Sequence, residues 1–76
     1  MKDQDLIRMA NQIAKAFAYY PEDYAIDETR THIRKFWEPR MRRQIMKYVA
    51  DGAQGLDPVA TKAIAGLPEP IEFNAG

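Results

Sequence analysis

The chain has 76 residues, no cysteine and one histidine, and its eleven basic and eleven acidic side chains cancel to a net charge of zero. That length makes one small domain, burying only ~60% of the surface its unfolded chain exposes, and without Cys there is no disulfide, thiolate metal site or iron–sulfur ligation by this chain. A hydrophobic fraction of 46% fits a globular chain, no apolar run approaches the ~18 residues of a membrane span, and the polar start Met1–Asp5 has no signal-peptide core, so a cytoplasmic location is expected.

Leu6, Met9, Ile13, Phe17 and Tyr20 recur at steps of three and four residues, the stripe of an amphipathic helix. Asp3 or Asp5 is expected to cap its start and Pro21 to end it, because the residue before a proline is pushed out of helical space. Glu22 and Asp23 then place negative charge in the first turn of a second helix, where the macrodipole favours it. Its stripe is Ile26, Ile33 and Trp37 with Phe36 alongside, and Asp27 pairs with Arg30 at i,i+3.

Glu38-Pro39 interrupts the pattern. Either a third helix begins with Pro39 at its first position, where the missing N–H costs nothing, or one long helix kinks there; the break is the preferred reading. The next stripe is Met41, Ile45, Tyr48 and Val49, with Gly52 as terminator. Asp57-Pro58 is the clearest helix start in the chain, a capping Asp followed by Pro. That short helix runs to Ala65 and stops at Gly66, its apolar side being Val59, Ala63 and Leu67 or Ala60, Ile64 and Leu67. The sequence therefore predicts an all-α fold: a small bundle of three to four short helices in a single domain over residues 1–67, with residues 68–76 an extended or disordered tail. Ile71 and Phe73 alternate with acids in that tail, which suits a frayed terminus or a strand laid along a partner.

Charge is segregated along the chain. Residues 30–47 hold seven bases and one acid (+6), while the segments before and after are each −3. Clustered Arg beside Trp37 and Met41 has the composition of an interface core. Two functional readings compete with a merely solvated face. An acidic protein surface is one, since Arg pairs bidentately with carboxylates. Nucleic acid bound through Arg30–Lys47 is the other, opposed by a sequence pI of 6.6 where the usual footprint is above ~9. Trp37 reads either as core or as an apolar anchor.

Reaction chemistry is not evident. There is no glycine-rich phosphate loop. His32 sits between Thr31 and Ile33 with no nucleophile facing it, because adjacent helix positions diverge, and it reads as a surface or partly buried helical residue. No close carboxylate pair sits in an apolar setting that would split two pKa values.

Three phrases, in order, resemble a known family: Arg8-Met9-Ala10-Asn11-Gln12-Ile13-Ala14 with Phe17; His32-Ile33-Arg34-Lys35-Phe36-Trp37-Glu38-Pro39-Arg40-Met41-Arg42-Arg43-Gln44-Ile45; and Gly52-Ala53-Gln54-Gly55-Leu56-Asp57-Pro58. Together they look like the delta subunit of soluble NAD-dependent formate dehydrogenase, over roughly residues 5–67. The resemblance implies a non-catalytic accessory subunit. The complex it implies carries a molybdenum or tungsten pterin, iron–sulfur clusters, FMN and NAD on other subunits, and none of these on this chain. The partners implied are the larger formate dehydrogenase subunits, foremost the catalytic alpha subunit, which this chain would stabilise or assist in assembly or cofactor insertion. No catalytic residue is carried over. Docking is expected through Arg34, Phe36, Trp37, Pro39, Arg40, Met41, Arg42 and Arg43.

Overall fold

In the computed structural model, which describes residues 1–70, four α-helices follow one another: α1 (Asp3–Ala16), α2 (Glu22–Phe36), α3 (Pro39–Ala50) and α4 (Pro58–Ala65). No strand forms among the described residues, so the chain is all-α as its periodicity predicts. The expectation for the tail falls mostly on residues 71–76, outside the described residues; residues 68–70 have no regular structure.

Helix α1 departs from expectation at both ends. Lys2 is the capping residue, and neither Asp3 nor Asp5 caps: both lie inside the first turn, where a carboxylate gains from the dipole without accepting a cap bond. Asp3 instead accepts from Gln44 Nε2 at 2.8 Å, and Asp5 pairs with Arg8 at 3.3 Å. The helix ends at Ala16 rather than at Pro21. Residues 17–20 continue as tighter turns, with Phe17 N donating to Ala14 O and Tyr20 N to Phe17 O, each at 3.1 Å.

The buried line of α1 is also displaced. Leu6, Ala10 and Ala14 are buried, whereas Met9, Ile13 and Phe17 are half-buried and Tyr20 is exposed. Small side chains on the inner line let the helix axes approach closely. In α2 the inner line is Ala25, Thr29 and Ile33, continued by Trp37; Ile26 is half-buried. Ile45 of α3 and Ala60, Ile64 and Leu67 at the C-terminal end complete one core. α2 packs most extensively on α4, and α1 touches all three other helices.

The loop between α3 and α4 is built by its glycines and by Asn11. Gly52 and Gly55 adopt φ +133° and +85°, conformations costly for an L side chain, and Ala53 adopts φ +57°. Asn11 of α1 clamps the loop with both ends of its amide: Nδ2 donates to Gly55 O at 3.0 Å, and Oδ1 accepts from Asp57 N at 2.8 Å. Asp57 then caps α4 as expected, accepting from Val59 N at 2.8 Å.

Candidate docking surface

The α2–α3 corner positions the residues that the sequence marks for docking. Glu38-Pro39 is a true break. Trp37 (ψ 138°) and Glu38 (ψ 153°) are extended, and Pro39 opens a new helix. Breaking α2 leaves its last carbonyls to be satisfied elsewhere. Ile33 O accepts from Trp37 N at 3.0 Å, and Arg34 O accepts from Arg42 Nη1 at 2.6 Å. One arginine of α3 thus ties down the end of α2 and fixes the angle of the corner.

The basic cluster divides into inward and outward members. Arg30 faces inward: its Nε donates to Ala63 O at 2.9 Å and its Nη2 to Lys62 O at 3.1 Å, so a guanidinium from α2 caps the C-terminus of α4. Its ion pair with Asp27, at 3.5 Å, is the i,i+3 contact expected. Arg42 is half-buried, its Nε buried without a partner among the described residues. Arg43 and Met41 are half-buried. Lys47 lies 4.0 Å from Asp51. Arg34, Lys35 and Arg40 are exposed, and their side chains make no hydrogen bond or ion pair among the described residues. Pro39 is exposed beside them.

The two aromatic residues of the corner part company. Trp37 is 5% exposed and belongs to the core, whereas Phe36 is 72% exposed, its ring 4.8 Å from that of His32. His32 is exposed, as expected of a surface helical residue. Electrostatically the corner is unusual. The first turn of α3 has no acid, only Glu38 at the N-cap before it, yet Arg40 and Arg42 stand at the positive end of its dipole, where bases are disfavoured. A carboxylate brought to this corner would relieve that arrangement.

A second feature lies beside it, along the apolar stripe of α1. Met9, Gln12, Ile13 and Ala16 of α1 and Phe17 just after it, with His32 and Trp37, line an open, mostly apolar groove of about 430 Å³. Phe17 continues the apolar surface toward Tyr20 (6.2 Å between rings), and Tyr20 toward Tyr24 (5.0 Å). The signal that could have found it is the Leu6-Ala10-Ala14 line, an equally good helical spacing one step round from the larger residues.

Chemically, these surfaces suit association. Among the described residues no three His, Cys, Asp or Glu side chains gather where they could hold a metal ion, and no helix is long and apolar enough to cross a membrane. No curated protein and no solved structure matches the chain. Residues 5–64 match the family model described as the NADH-dependent formate dehydrogenase delta subunit FdsD.

Proposed function

The chain belongs to the NADH-dependent formate dehydrogenase delta subunit family, and from that premise we propose that it is a non-catalytic accessory subunit. It docks on the larger subunits, foremost the catalytic alpha subunit, and stabilises that subunit or assists its assembly or cofactor insertion. Iron–sulfur clusters do not fit this chain's donor set, which has no Cys and one His, its ring tilted against Phe36 at the surface. The complex implied by the family also carries a molybdenum or tungsten pterin, FMN and NAD. In this reading those groups sit on other subunits.

The observation that carries the docking reading is the outward half of the α2–α3 corner. Arg34 and Arg40 are exposed near Pro39 with no hydrogen bond or ion pair to hold their side chains among the described residues, and Phe36 is exposed against His32. They are the contact residues. Trp37, Met41 and Arg42 give the corner its shape from within, and Arg43 flanks it. Exposed Arg and aromatic side chains on a rigid turn are the types that dominate interface energetics, and Arg favours carboxylate partners.

The experiment is recovery of the large formate dehydrogenase subunits on a tagged chain after co-expression. Wild-type chain retains them. Phe36→Ala with Arg40→Glu lowers retention at least ~10-fold, the scale of losing a hot spot, while far-ultraviolet circular dichroism stays unchanged. Retention at wild-type level by this double variant refutes docking through the corner. Salt-sensitive retention of nucleic acid, without those subunits, would replace the accessory role by nucleic-acid binding.

A further inference from the structure

Helix α1 carries large apolar side chains that its own fold covers only in part. Its inner line is Leu6, Ala10 and Ala14, all buried, so two of the three positions facing the core are alanines. The bulkier Met9, Ile13 and Phe17 stand at the rim, half-buried, along an open groove floored by Trp37. Burial of apolar area is the main favourable term in folding and association. Met9 and Ile13 pack in part on the core and, with Phe17, leave their remaining surface at the groove, where a partner can bury it. The apolar surface runs on through Phe17 to Tyr20 and Tyr24, which are 53% and 47% exposed. It also borders the His32–Phe36 pair. Contiguous apolar surface of this kind marks a partner site.

Charge indicates what covers it. Lys35 precedes Phe36, Arg40 follows Trp37 by three residues, and both are exposed cations without a partner among the described residues. On α1, Lys15 is exposed beside Ala16, and the one base paired on that helix is Arg8, with Asp5. The groove's lining is aliphatic and aromatic with only Gln12 and His32 as polar members. A phosphate backbone finds no cation inside such a groove, whereas apolar side chains find complementary surface there. We propose that the α1–α2 groove is a second docking site, taking an apolar segment of a large formate dehydrogenase subunit whose flanking Asp and Glu side chains meet Lys35 and Arg40. This rests on the accessory-subunit reading and extends it. The corner supplies polar contacts, and the groove supplies the buried apolar area that a lasting complex requires.

The test uses the tagged chain in complex with the co-expressed large subunits. A photo-crosslinking phenylalanine replaces Gln12, an exposed groove residue, and the cross-linked peptide is sequenced by mass spectrometry. The expected peptide comes from a large subunit, carries several apolar side chains, and has more Asp and Glu than Lys and Arg. In parallel, Lys35→Glu reverses the charge of an exposed position flanking the groove without touching the core. It is expected to lower recovery of the complex by about tenfold, in the range set by rejecting like charge at an interface. A cross-linked peptide rich in bases, a cross-link to a second copy of this chain or to nucleic acid, or wild-type recovery by Lys35→Glu overturns the groove proposal while the accessory reading stands. Failure of the wild-type chain to recover the large subunits overturns both.

Discussion

Arg42 does at the level of one side chain what Pro39 does at the level of the backbone. Pro39 interrupts the helix, and Arg42 then satisfies the Arg34 carbonyl that the interruption exposes. A hydrogen bond from a charged donor contributes about 1.5–3 kcal/mol when buried and less where solvent competes. Arg42→Ala is therefore expected to lower unfolding free energy by ~1–2 kcal/mol in urea titrations, whereas Arg40→Ala, with no internal bond, changes it by less than ~0.5 kcal/mol. Equal effects would mean that Arg42 is not the tie. Thr29 gives the opposite prediction. It is fully buried in α2 and its Oγ1 has no partner among the described residues. An unsatisfied buried hydroxyl costs about 1–3 kcal/mol, so Thr29→Val, which keeps the β-branched shape, is expected to raise stability by ~1 kcal/mol. A loss of stability would show that the hydroxyl finds a bond in solution.

At the scale of the element, the sequence announced what depends on neighbouring residues and misplaced what depends on packing. Asp57-Pro58 and Glu38-Pro39 were legible because capping and the φ restriction of proline act within a few residues. Asp57→Ala should therefore cost ~1 kcal/mol, read as a lowered thermal midpoint, with the loss concentrated in α4, which has only eight residues to hold it. The stripe of α1 was legible as helical, but its inner line was not. Two lines separated by a fraction of a turn both satisfied the period, and only contact with three other helices selects the alanines. The end of α1 was misplaced for a similar reason: Phe17 to Tyr20 leave the α-helix in tight turns that pack Phe17 against Tyr20 before Pro21 is reached. The basic cluster was visible as composition. Its division into Arg30 and Arg42 inside and Arg34, Lys35 and Arg40 outside was not, because it depends on which carbonyls the folded chain brings within reach.

Over the whole molecule, many residues in the phrases that mark the family serve the fold. Asn11 clamps the loop that holds Gly55 and Asp57, Trp37 fills the core, and Arg42 closes the corner. The proposed contact surface lies among their exposed neighbours, such as Phe36 and Arg40. The order of packing adds a dynamic consequence. α2 and α4 share the most extensive contact, and Arg30 reaches across to hold the final carbonyls of α4. The end of α4 stays tied to the middle of α2 while that guanidinium is seated. In amide hydrogen exchange the turn of α2 around Arg30 and the last turn of α4 should therefore open as one cooperative unit, with a shared opening free energy. A β-carbon at Gly66 would collide with the Arg30 guanidinium, so Gly66→Ala should uncouple the pair, and the amides of α4 should then exchange ahead of those of α2.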